Sequence, residues 1–119
     1  MMKKLDGMFS IAIWNNEEKT LFLARDRFGK KPLVYSIKNN IIYFSSDVKS
    51  LSCITDGGGI DKESIKSLFR FRFIHEPRTI FNNFKKLAPG NILKFNKYGV
   101  KIKNWYNFNY SKSSSNNND

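Results

Sequence analysis

Apolar residues in this chain come in short runs of about five to seven, each closed by a polar or turn-forming cluster, a pattern of strands rather than long helices. From Met8 to Trp14 the run MFSIAIW is apolar on both faces and predicts a strand buried on two sides. Asn15 to Lys19 is polar, and Thr20 to Ala24 (TLFLA) predicts a second strand, so the two form an antiparallel hairpin. Pro32 to Ile37 and Ile41 to Ser45 repeat the arrangement around Lys38-Asn39-Asn40. With four strands in the first 45 residues, a meander is predicted.

The pattern then changes. Asp47 to Leu51 predicts one helical turn before the break Asp56-Gly57-Gly58-Gly59. A longer helix follows, with Asp61 as its cap, Glu63 in its first turn, and Ile65, Leu68 and Phe69 on one face. Pro77 ends any continuation, and Arg78 to Pro89 shows no period. After the Pro89-Gly90 turn, Asn91–Asn96 and Val100–Trp105 predict a last hairpin around Lys97-Tyr98-Gly99. From Ser111 onward SKSSSNNND has nothing to bury and predicts a disordered tail. The expected organisation is one domain over 1–110 and a tail or linker start over 111–119, in an α+β fold of mainly antiparallel sheets with few helices.

A chain of 119 residues fits one domain, and 40% hydrophobic residues suffice for a core. No apolar run approaches the ~20 residues that span a bilayer, and no apolar stretch with a cleavage site follows Met1-Met2-Lys3-Lys4. The expectation is a soluble cytoplasmic protein. One cysteine, Cys53, excludes an internal disulfide. The net charge of +11 raises nucleic-acid binding as a rival. Its texture argues the other way: sixteen Lys against five Arg, spread from Lys3 to Lys112 among Asn pairs, describe a solvated surface.

Few residues suggest chemistry. Arg25-Asp26 at a strand end reads either as an anion site or as a pair that pins a loop. In the second reading Gly29 supplies a positive φ and Pro32 fixes the start of the next strand. Cys53 reads as a small buried side chain beside Leu51 and Ile54, with a Cys53–His75 pair as the formal alternative. His75 has no Cys or His neighbour in sequence and reads as a surface or hydrogen-bonded residue rather than a metal ligand. Phe69, Phe71 and Phe73, interleaved with Arg70 and Arg72, are either core residues between solvated arginines or a base-stacking strip.

Several segments together resemble the glutamine-hydrolysing asparagine synthetases. Leu5-Asp6-Gly7-Met8-Phe9-Ser10-Ile11-Ala12-Ile13-Trp14 is similar to their LDGMFAFAIWD strand, and Arg25-Asp26-Arg27-Phe28-Gly29-Lys30-Lys31-Pro32-Leu33 to their RDRFGIKPL loop. Phe44 to Lys49 resembles FASEIKAL, Phe71 to Phe81 resembles FRYIPEPRTIF, and Lys86 to Asn91 follows KLPPGH. Trp105-Tyr106 sits where a Tyr-Trp pair is common. The segments keep the family's order over residues 5 to about 108. The Phe71–Phe81 likeness favours core packing for the aromatic run. Lys30 replaces the family's Ile, which puts any domain contact at that position in doubt, and Glu76-Pro77-Arg78 is placed by the resemblance at an interdomain face.

The resemblance implies the later part of a class II glutamine amidotransferase domain with an N-terminal-nucleophile fold, an incomplete αββα sandwich of two stacked antiparallel sheets. It implies a ligase that makes asparagine and glutamate from glutamine, aspartate and ATP with Mg²⁺. Its partners would be an ATP-pyrophosphatase synthetase domain and the missing N-terminal half of the glutaminase domain, with homodimerisation of the full enzyme left open. The family's nucleophile is a Cys at the mature N-terminus, activated by its own α-amino group. Here position 1 is Met, followed by Met2 and Lys3, and the Cys53 nitrogen is an amide. The family's Arg-Gly-Pro-Asp, Asn-Gly-Glu, Gly-Ser-Asp and SGGxDS segments are absent from the 119 residues. The expectation is therefore no catalytic, substrate-binding or metal-binding residue and no cofactor in this chain, no activity alone, and Arg25, Asp26, Gly29 and Pro32 as loop-forming residues. Two alternatives stand: a related amidotransferase acting on another carboxylate, and a small basic nucleic-acid-binding protein. Lost partner strands would also leave open edges and half-covered faces, predicting poor solubility or oligomerisation.

Overall fold

A computed structural model describes residues 7–105. In chain order they form β1 (Ser10–Asn15), β2 (Thr20–Arg25), β3 (Val34–Lys38), β4 (Ile41–Ser45), α1 (Val48–Ile54), α2 (Lys62–Phe71), β5 (Lys85–Lys86), β6 (Asn91–Asn96) and β7 (Gly99–Asn104). The strands make two antiparallel sheets, ordered β1-β2-β6-β7 and β4-β3-β5, so the α+β expectation holds. All three predicted hairpins are present. The β3–β4 turn uses Asn39 and Asn40 at φ 52° and 59°, a left-handed pair that Asn tolerates better than most residues.

The predicted meander is corrected. The second edge of β2 pairs with β6 in the register Leu23↔Leu93, and β3 belongs to the other sheet. Side chains alternate along a strand, so this register places Leu21, Leu23 and Leu93 on one face. They form one core cluster with Leu33, Tyr35 and Leu87 from the second sheet and its flanks. Burying one such leucine contributes ~1.5–3 kcal/mol, and pairing β2 with β6 buries Leu21, Leu23 and Leu93 together. The segment between β2 and β3 carries the chain from one sheet to the other.

The opposite face of the second sheet is closed by α1, where Val34, Leu51 and Phe84 are buried and Tyr43, Val48 and Phe81 pack around them. Asp47 caps α1, accepting hydrogen bonds from the Ser50 N–H at 2.7 Å and the Ser50 hydroxyl at 2.9 Å. The helix continues to Ile54, beyond the single predicted turn, because fully buried Leu51 anchors its middle.

Other expectations change. Among the described residues β1 is an edge strand paired only to β2, and Trp14 is 56% exposed, so the strand is not buried on two sides. Continuous apolar sequence does not reveal how many neighbours a strand has. Within the stretch 78–89 that lacked a period, β5 forms by pairing to β3. Cys53 is exposed rather than buried, because its neighbour Leu51 occupies the α1 face that packs inward. α2 has the predicted Asp61 cap, bonded to the Glu63 N–H and the Ser64 hydroxyl. It ends at Arg72, φ 62°, before Pro77 is reached. Its apolar side is largely uncovered, and Phe69, Phe71 and Phe73 do not join the core. The tail expected from residue 111 lies outside the described residues.

Candidate functional site

The densest polar arrangement is built where β2 ends. Asp26 is 1% exposed, and its carboxylate accepts four backbone hydrogen bonds. Oδ1 takes the N–H groups of Phe28 (3.1 Å) and Lys30 (2.9 Å), and Oδ2 those of Lys31 (3.0 Å) and Phe9 (3.3 Å). The Asp26 carbonyl accepts from Gly29 and Gly90, and its N–H donates to the Phe9 carbonyl. Burial by itself would raise the Asp26 pKa, but the four N–H donors outweigh it and hold the carboxyl below its ordinary value of 3.8. A carboxylate so surrounded stays ionised, with its lone pairs already taken.

Arg25 is equally committed. Its Nε donates to the Lys31 carbonyl (2.9 Å), Nη2 to the Gly29 carbonyl (2.8 Å), and Nη1 to the Leu87 carbonyl (2.6 Å) and Glu76 Oε1 (2.7 Å). Arginine suits this place because its planar fork serves several acceptors at once and stays charged when buried. Gly29 sits at φ +65°, and a Cβ there would lie 2.7 Å from Pro89 Cγ and 3.0 Å from the Arg25 guanidinium carbon. The loop therefore needs glycine for its backbone and for its space. Trp105 closes the arrangement: its Nε1 donates to the Arg25 carbonyl at 3.1 Å, and its ring stacks on Phe9 at 5.9 Å.

The structure thus brings Arg25, Asp26 and Gly29 together, with Pro32 exposed nearby on the rim of a hollow of about 360 Å³. Met8, Phe9, Ser10, Lys31 and Ser46 complete that hollow. Sequence reasoning missed Glu76, which reaches Arg25 across 51 residues, and Leu87, which reaches it across 62. Both lie in segments quoted for the family likeness, the only signal that could have pointed to them. Phe9, Arg25–Gly29, Glu76, Leu87–Gly90 and Trp105 come from five separate such segments, and they meet here. The remaining one, Phe44 to Lys49, leads into α1 on the far side of the second sheet.

Neither Cys53 nor His75 joins this arrangement. Cys53 lies exposed on α1, and the ring of His75 packs edge-on against Phe73 (4.5 Å) and Phe71 (5.8 Å). Among the described residues, the buried side-chain nitrogens and oxygens all have partners. The geometry immobilises one loop and fixes four other chain segments against it.

Residues 1–106 match the family model described as a glutamine amidotransferase domain. The chain belongs to this family. Among curated relatives it is 43% identical over 88 residues to glutamine-hydrolyzing asparagine synthetase 1 of Bacillus subtilis, covering 74% of this chain and 14% of that protein. It is 31% identical over 105 residues to asparagine synthetase 3 of the same organism, covering 87% of this chain and 17% of that protein. A putative asparagine synthetase 2 of Methanocaldococcus jannaschii is 29% identical over 108 residues, 88% of this chain and 21% of that protein. The chain therefore spans between 14% and 21% of the length of these relatives.

Proposed function

We propose that this chain is part of the glutaminase module of a glutamine-dependent asparagine synthetase-like ligase, and that Arg25, Asp26, Gly29 and Pro32 shape that module rather than perform chemistry. The observation that supports the reading is the convergence of five family-like segments on one saturated Arg25–Asp26 pair. A binding or catalytic pair keeps polar atoms available to its ligand; this pair spends them on the protein itself. The two sheets with their shared core suit part of an N-terminal-nucleophile sandwich. The full ligase would act in the cytoplasm on glutamine, aspartate and ATP. Among the described residues, no helix is long and apolar enough to cross a membrane.

The other parts of such an enzyme supply what these residues do not. A terminal thiol with its own amine as base would come from a preceding portion of the amidotransferase domain, and ATP with Mg²⁺ would be held by a synthetase domain. The residues present do not suit either group. The described residues gather no cluster of three His, Cys, Asp or Glu that could hold a metal ion. Their loop carboxylate Asp26 is turned inward on backbone N–H groups.

The test is a graft. Residues of this chain replace the matched segment of Bacillus subtilis asparagine synthetase 1, and asparagine formation is measured with glutamine and with free ammonia. The expected outcome is glutamine-dependent synthesis within ~10-fold of the parent, with ammonia-dependent synthesis unchanged. A graft that uses ammonia normally but has lost glutamine use by more than ~100-fold overturns the reading. The isolated 119-residue chain is expected to release no ammonia from glutamine.

A further inference from the structure

α2 carries an amphipathic pattern whose apolar side is largely uncovered among the described residues. Ser64 is its one buried residue, while Phe69 is 84% exposed. Phe71 and Phe73 are half-exposed, 6.3 Å apart between ring centroids, and His75 packs against both. Arg70 lies over the Phe71 ring at 5.3 Å. Exposed aromatic rings beside arginines match the residue types that dominate the energetics of protein interfaces.

Charge decides what fits. Glu63 is ion-paired to Lys66, and Glu76 is committed to buried Arg25. Among the described residues no ion pair involves Lys62, Arg70 or Arg72, so the surface is apolar with unneutralised cations around it. A second copy of the chain would present the same cations to their own equivalents, and like charges brought together at an interface cost free energy. An acidic surface neutralises them. The relatives also contain much more chain than the portion matched here, between 14% and 21% of their length.

We propose that the surface formed by Phe69, Phe71, Phe73, Arg70 and Arg72 docks against an acidic, apolar surface elsewhere in a synthetase-length polypeptide, outside these 119 residues. The inference rests on the ligase reading above, and it adds which face of this module the rest of the enzyme covers. Burial of the three rings supplies the attraction, and the arginines select an acidic counterpart.

Hydroxyl-radical footprinting tests this without relying on a disruptive variant. Oxidation of Phe69 and Phe73 is compared between the 119-residue chain and the grafted synthetase, with Tyr98, which is 84% exposed, as the reference. The expected result is severalfold slower oxidation of both phenylalanines in the graft and an unchanged rate at Tyr98. Equal rates in the two proteins overturn the proposal. Protection that appears in the isolated chain as its concentration rises shows a second copy on the surface and overturns the chosen occupant. The same graft carrying Arg70→Glu with Arg72→Glu should regain fast oxidation at Phe69; retained protection overturns the acidic character of the partner. Failure of the ligase reading looks different: a graft that shows the protection yet cannot use glutamine keeps the interface and loses the function.

Discussion

The loop after β2 and the surface around α2 both carry arginines among aromatic and apolar residues, yet they end in opposite states. At the loop, Arg25 is 5% exposed and four carbonyl and carboxylate oxygens surround its guanidinium. Around α2, Arg70 rests on a ring that is itself half-exposed, and Phe69 projects into solvent. The loop completes its interactions within the described residues; α2 completes its caps, the contact through Ser64 and an exposed Glu63–Lys66 pair, and leaves its aromatic side open. Saturated polar packing and unsatisfied apolar surface in one small unit separate what this segment does for its own fold from what it offers to other polypeptide.

That contrast predicts a wide spread of mutational effects. The largest is Asp26→Ala, which strips the partner from four backbone N–H groups. Each unsatisfied buried donor costs ~1–3 kcal/mol, and partial hydration of the loop would keep the total near ~3–5 kcal/mol. A urea titration followed by tryptophan fluorescence reads this, since Trp105 is bonded to the Arg25 carbonyl. A loss below ~1 kcal/mol would erase the distinction between the two regions. Gly29→Ala comes next, at about 1–3 kcal/mol, from its positive φ and the contact with Pro89. The same titration measures it.

Acid should act through the loop as well. Asp26 has a folded pKa below its ordinary value of 3.8, so the unfolded chain takes up the proton first as pH falls. The stabilisation is complete above the ordinary value and is lost as pH drops through the folded pKa. The urea midpoint is expected to fall on going from pH 5 toward pH 3, and an Asp26→Asn variant should show a shallower fall. The capping carboxylates Asp47 and Asp61 are also held below the ordinary value, chiefly by Ser50 and Ser64, so some acid dependence persists in that variant. The smallest effect is expected for Phe69→Ser, within ~0.5 kcal/mol of the parent, because the ring touches little. That substitution should instead lower the binding of a hydrophobic fluorescent dye to the isolated chain, since it removes exposed apolar surface.

The strands and caps could be read from the residues because they obey short-range rules. Short apolar runs closed by polar clusters marked β2, β4 and β6, and Asn39-Asn40 marked a turn. The Asp61 cap was legible from its place before Glu63, Ile65 and Leu68. Motif likeness also singled out Arg25, Asp26, Gly29 and Pro32, but their partners were hidden. Glu76, Leu87 and Trp105 lie 51, 62 and 80 residues from Arg25, and no local pattern encodes such contacts. The aromatic run at 69–73 misled for a related reason, because an apolar face announces that it wants cover without saying who supplies it.

By itself, then, the order of residues determined the hairpins, the helix starts and the family likeness, since each depends on neighbours within a few positions or on a quoted motif. Tertiary structure alone decided that β2 joins β6, that β1 is an edge, that Cys53 faces solvent and that five distant segments meet at Asp26. Those outcomes depend on which surfaces remain available once every hairpin has formed. That competition among distant parts of the chain is settled by burial and hydrogen-bond satisfaction rather than by local preference.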